Sequence, residues 1–195
     1  MDVYAGSLED EPEKEVGRPF NLEAHQSQML GSVTQPICGG WYRPLLELRD
    51  GNNVTPQGKE HNVAPWAVMS GPCFFGGWTE CCCDFNFPLT RFGSDTTGDL
   101  GGVVKKKPTS LAGGFRSLVG DNSVYTIHFS ESSGLTASQK STAIAAQILY
   151  DYMLFDGSTE KCDQDNNAIY CYICYCLLLG CLVPVKIVIP KNTGN

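Results

Sequence analysis

The sequence predicts a mainly β domain organised around a single apolar helix, and three observations carry that expectation. The 21 glycines and 11 prolines favour many turns and short strands over long helices. Hydrophobic residues make up 42% of the 195 and charged ones 18%, which is enough apolar material for a sizeable core. The third observation is the segment from Lys140 to Phe155, where Asp151 is the only charged residue after Lys140. An ionisable group in so apolar a stretch needs a partner or a purpose.

Taken in order, residues 1–17 carry the acidic run Glu9-Asp-Glu-Pro-Glu-Lys-Glu15 and read as a disordered acidic tail. From Arg18-Pro-Phe20 to Thr90 the pattern is short strands between turns. Leu45-Leu-Glu-Leu48 is a strand, Asp50-Gly-Asn-Asn53 a turn, and Trp66-Ala-Val-Met69 a strand. Asp84-Phe-Asn-Phe-Pro-Leu89 alternates polar and apolar and is a further strand. A polar loop from Gly93 to Gly101 leads into Gly102-Val-Val-Lys-Lys106. Phe115 to Val119 and Ser123 to Phe129 complete the strands, the second rich in β-branched and aromatic residues.

The helix over 138–155 follows, about 27 Å long, slightly short of a comfortable bilayer span. Lys140, Gln147 and Asp151 recur at helical spacing and form one thin polar stripe on it. A helix enclosed by β-sheet and a membrane helix are both compatible with that pattern. An acidic loop, 157–167, leads to a second uncharged apolar run, 168–185, and a short tail, 186–195. The front of that run suits a buried strand. Its back half, Leu177-Leu-Leu-Gly-Cys-Leu-Val183, suits lipid, so 168–185 is the expected membrane anchor. If both apolar segments span, the basic flanks Lys105 to Lys107, Lys140, Lys186 and Lys191 place both ends in the cytosol.

Several function classes are disfavoured. A net charge of −7 argues against a general nucleic-acid binder, which needs a basic face. No nucleophile elbow, phosphate loop or dinucleotide fingerprint is present, so enzymatic covalent chemistry is not expected. The ten cysteines include the triplet Cys81 to Cys83 and four in one apolar run, an arrangement unlike a disulfide framework. The opening Met1-Asp-Val-Tyr4 lacks the basic and apolar regions of a secretory signal, so a reducing cytosolic face is expected. Cys171-x-x-Cys174 is the only Cys-x-x-Cys pair, and His25, His61 and His128 are isolated, so spacing disfavours structural zinc. Cys81, Cys82 and Cys83 are the leading acylation candidates, with Cys171, Cys174 and Cys176 behind them; buried packing is the alternative for each. Lys105, Lys106 and Lys107 are the only basic run, either a solvated strand end or a patch for anionic lipid or an import receptor.

The order of these pieces resembles the phospholipid scramblase family, over roughly the last two-thirds of the family domain. The resemblance is carried by Gly71-Pro-Cys73 with its nearby cysteines, Asp84-Phe-Asn-Phe87, Gly102-Val-Val-Lys-Lys106, Phe115-Arg116 leading to Asp121, and Tyr125-Thr-Ile-His-Phe129. It ends in Lys140 to Asp156, where Asp151, Tyr152, Met153, Phe155 and Asp156 match the family helix. The resemblance implies a tubby-like fold over 18–156: an antiparallel β-barrel threaded by the apolar helix. It also implies calcium-stimulated, ATP-independent movement of phospholipids between leaflets, at the cytosolic face of the plasma membrane, with acylated cysteines aiding attachment.

The chain departs from the family at the calcium-associated segment. Asp121 matches, but Asn122-Ser123-Val124 replaces the residues that follow it, and Ser130-Glu131 stands where the family has further acid. Asp121, Asn122, Ser123 and Glu131 are the calcium candidates that remain, and losing carboxylates weakens such a site. Arg18-Pro-Phe20 resembles a point partway through the family barrel, so an incomplete barrel is expected, with strand edges that invite a protein partner. Two functions follow: phospholipid scrambling, or a non-transporting, membrane-tethered interaction or regulatory protein of the same family.

Overall fold

The computed structural model describes residues 1–4, 29–36, 40–51, 64–106, 124–155, 161–165, 167–179 and 181–191. Eleven strands and one α-helix are formed by them. Seven strands make one antiparallel sheet: β1 (Asp2–Tyr4), β2 (Met29–Thr34), β3 (Leu45–Asp50), β4 (Ala67–Ser70), β6 (Phe85–Arg91), β7 (Gly101–Lys106) and β8 (Val124–Phe129), in that spatial order. This sheet curls into a half barrel. A second sheet sets β5 (Phe74–Phe75) beside β10 (Ala168–Leu178) and β10 beside β11 (Cys181–Pro190), with β9 (Cys162–Gln164) also paired to β10.

The period-2 alternation of the strands decides what is inside. Leu46 and Leu48 of β3, Ala67 and Met69 of β4, Phe85, Phe87 and Leu89 of β6, and Val103 of β7 are all buried in one cluster. The helix α1 (Ala137–Leu154) packs its small face into that cluster through Ala143, Ala146, Tyr150 and Leu154. Its start is set by a capping box: the Thr136 hydroxyl accepts the Gln139 N–H, and the Gln139 side chain accepts the Thr136 N–H. Small residues allow α1 to approach β2 closely. A Cβ on Gly31 would lie 2.2 Å from Thr142 Oγ1, so only glycine fits there. At the other end of α1, Phe155 packs against Phe75, Phe85 and Phe87, closing the core.

Tyr150 fastens the middle of the helix to the sheet. Its ring packs on Phe87, and its hydroxyl sits 2.7 Å from the Met69 carbonyl and 3.0 Å from that of Pro44. Burial pushes the phenol far above its ordinary pKa, so it remains a neutral donor.

Several expectations need correction. Cys162–Gln164, within the expected loop 157–167, form β9, and Lys186–Pro190, within the expected tail 186–195, belong to β11, because both segments pair with β10; the expected strand Phe115 to Val119 lies outside the described residues. Asp2–Tyr4 belongs to a strand paired with β2, not to a disordered tail, and the Met1 amine donates to the Val33 carbonyl; residues 5–17 lie outside the described residues. The run 168–185 is not a helical anchor. It is most of the β10–β11 hairpin, because alternating Tyr, Cys and Ile pair well across strands, and Pro184 is tolerated on an outer strand. No helix among the described residues is long and apolar enough to cross a membrane. Finally, α1 is not enclosed on all sides: Ile144, Ile148 and Tyr152, four positions apart, form an exposed stripe. Among the described residues, the half barrel leaves that side of it uncovered.

Replacing Tyr150 by Phe keeps the ring but removes the donor from two buried carbonyls. It should destabilise the fold by about 1–3 kcal/mol, read as a lower midpoint in urea unfolding with an unchanged slope.

Candidate functional site

Among the described residues, those singled out by sequence do not gather in one place. Asp121, Asn122 and Ser123 lie outside the described residues, as do Lys107 and Asp156. Glu131, the remaining calcium candidate, is exposed in a short 3₁₀ turn, Glu131–Ser133. No cluster of three or more His, Cys, Asp or Glu able to hold a metal ion occurs among the described residues.

Of the lysine run, Lys105 is not at the surface. Strand alternation turns Lys105 inward, where it is 5% exposed, pairs with Glu80 at 3.3 Å and lies 3.4 Å from the centre of the Phe155 ring. Lys106 faces outward and pairs with Asp84 at 3.2 Å. The run is a β7 strand end in which the two described lysines already have partners.

The polar stripe of α1 faces β8. Lys140 sits 5.6 Å from the Phe129 ring centre, and the Asp151 carboxylate accepts a hydrogen bond from the Tyr125 hydroxyl. Tyr125 and Phe129 share one face of β8 by alternation. Gln147 lies between them on the helix. It is 3% exposed, and neither amide atom has a hydrogen-bond partner.

Cys81 is half-buried at the end of the 3₁₀ turn Gly77–Cys81, and the Cys82 and Cys83 thiols are exposed, 3.6 Å from each other. The turn is held against β10. A Cβ on Gly77, whose φ is +60°, would lie 2.6 Å from the Tyr172 carbonyl, so the turn reaches this position only with glycine.

A different site, made of residues that sequence reasoning did not select, stands out in the geometry. Gly40, at φ +62°, turns the chain ahead of β3 and presents Trp41 and Tyr42, 68% and 59% exposed. The turn joining β10 to β11 presents Leu178, Leu179 and Leu182, all exposed. The two turns are joined directly: the Leu179 N–H donates to the Trp41 carbonyl at 2.7 Å. Exposed Phe74, on β5, pairs in register with Cys176 two residues before Leu178. Arg43 lies 5.6 Å from the Tyr42 ring centre, so a cation borders the aromatic pair.

Trp41 and Leu179 are also the only non-glycine residues with positive φ among those described, at +70° and +52°. Left-handed backbone costs a side-chain-bearing residue about 1–2 kcal/mol, and strain of this kind concentrates where function holds it. Here both strained residues occur at one contact and both carry large apolar side chains into solvent. Large exposed apolar clusters with polar rims mark interaction surfaces. The Gly39-Gly40-Trp41-Tyr42 sequence was a legible turn signal with two aromatics. Its pairing with Leu179 is long-range and invisible in one dimension.

Gln147 offers a direct check on the helix stripe. Gln147→Leu should raise stability by about 1–2 kcal/mol, because the amide is buried without a partner; thermal and urea unfolding read the change. Compared with family models, with curated proteins and with solved structures, the chain gives no match.

Proposed function

We propose that this chain is a membrane-associated, non-transporting β-domain that docks on a lipid bilayer through the tip formed by Trp41, Tyr42, Phe74, Leu178, Leu179 and Leu182. The observation that carries the reading is the hydrogen-bonded meeting of two strained turns that both expose bulky apolar side chains. Trp and Tyr favour the headgroup level of a bilayer, where an apolar body and a polar tip are both accommodated. Leucines projecting beyond them reach the acyl boundary, and Arg43 stands where headgroup phosphates would lie. One shallow insertion gives reversible binding. Acylation at the exposed thiols of Cys82 or Cys83 is the natural second signal, since stable anchoring takes two.

The net charge of −7 and the partnered Lys105 and Lys106 favour an apolar rather than an electrostatic mode. Binding should therefore be nearly insensitive to salt, unlike binding by a polybasic patch.

In flotation with phosphatidylcholine vesicles, the protein should partition at low and at high salt. Leu179→Asp together with Leu182→Asp should weaken partition by at least about tenfold, or ~1.4 kcal/mol, with unchanged circular dichroism. Unaltered flotation of that variant would rule the tip out. A wild-type protein that self-associates through the same leucines and ignores vesicles would point to a second copy instead.

Scrambling is the second reading, favoured by one observation: the partnerless buried amide of Gln147 between Lys140 and Asp151. It requires the stripe to contact headgroups in transit. Wild-type protein in proteoliposomes should then move a fluorescent phospholipid between leaflets, and Asp151→Leu should slow it several-fold. No transport with or without millimolar calcium removes this reading.

A further inference from the structure

We propose that Cys162 and Cys171 form a dithiol–disulfide site that is oxidised by thiol–disulfide exchange with a low-molecular-weight disulfide such as oxidised glutathione. The two residues are partners in register across β9 and β10 and lie nine positions apart in sequence. Their sulfurs are 2.7 Å apart, closer than the 3.6 Å between Cys82 and Cys83, and both thiols are free.

The ladder places them in the favourable kind of cross-strand pair. The Tyr172 N–H donates to the Lys161 carbonyl, and the Asp165 N–H donates to the Ala168 carbonyl. Counting inward from either bond makes Tyr170 and Asp163 a hydrogen-bonded pair and Cys171 and Cys162 a non-hydrogen-bonded one. In antiparallel sheets such pairs bring side chains closest together. The alpha-carbon spacing usual for such a pair, about 4.5 Å, falls in the range a disulfide spans without moving the backbone. Neighbouring Cys82 and Cys83, by contrast, are adjacent in sequence, where the geometry of a bridge is poor.

Cys162 is exposed and Cys171 half-buried, which orders the chemistry. The hydrogen bond with Cys162 pushes the Cys171 thiol above its ordinary value, so Cys171 keeps its proton at the start. The Cys162 thiolate attacks one sulfur of the small disulfide, forms a mixed disulfide and expels one thiolate. Cys171 then loses its proton and displaces the second thiolate as the Cys162–Cys171 bond forms. Two protein thiols are oxidised, the small disulfide is reduced to two thiols, and the two protein protons pass to the leaving thiolates.

The bond would tie β9, which follows α1 in the chain, to the end of β10 remote from the Leu178–Leu179 tip. It rests on the strand register and the separation of the two sulfurs, and stands or falls independently of membrane docking.

The test incubates the full chain with oxidised glutathione, blocks remaining thiols and maps the peptides by mass spectrometry. The Cys162–Cys171 cross-link should be the first and dominant internal bridge, formed without lasting glutathione adducts at either residue. Cys171→Ser should trap a glutathione adduct on Cys162, and Cys82→Ser with Cys83→Ser should leave the bridge unchanged. A dominant bridge elsewhere, or persistent wild-type adducts at Cys162, overturns the proposal without requiring any variant to fold.

Discussion

The close seating of α1 on the half barrel is the constraint on which the rest of the structure depends. Gly31 and the alanines of the helix let two backbones approach within side-chain contact of Thr142, and Tyr150 then reaches one carbonyl just ahead of β3 and one within β4. A bulkier helix face would hold α1 away from the sheet and leave Leu46, Leu48, Met69 and Phe87 without a lid. The position of Phe155 follows from the same seating. It completes the aromatic cluster with Phe75, Phe85 and Phe87, and it covers the Lys105 ammonium.

That arrangement also explains why charges that looked functional in one dimension are structural in three. Lys105 is on the inward face of β7 because every second residue must be, and Glu80 and Phe155 offset the cost of burying it. Asp151 follows the same logic: Tyr125 from β8 supplies a donor at the point where the helix would otherwise bring a carboxylate against apolar residues. Gln147 has no such compensation, and it is the one place on the helix where local chemistry and packing disagree.

The second sheet has a different character. β11 is exposed along its whole length, and β10 is tied to the core side through β5 and the Gly77 turn. Its two ends carry separate chemistry: the cross-strand thiols of Cys162 and Cys171 at one, and the apolar turn meeting Trp41 at the other. A strand pair held along one edge can present its tips without reorganising the core.

Much of the sequence's own logic survives in the fold. The strands expected at 45–48, 66–69, 84–89, 102–106 and 123–129 lie within a residue or two of observed ones, and the helix expected over 138–155 spans Ala137–Leu154. These are local properties: alternation, β-branched content and a capping box decide them over a few residues. Which face each residue takes, and what meets it there, was decided only by tertiary structure. Lys105 and Lys106 are neighbours in sequence but opposite in space, 168–185 became strands because partners paired with it, and Trp41 meets Leu179 across most of the chain. Strand pairing and helix seating are long-range choices, fixed by the summed burial of residues far apart in sequence, and no local window contains them.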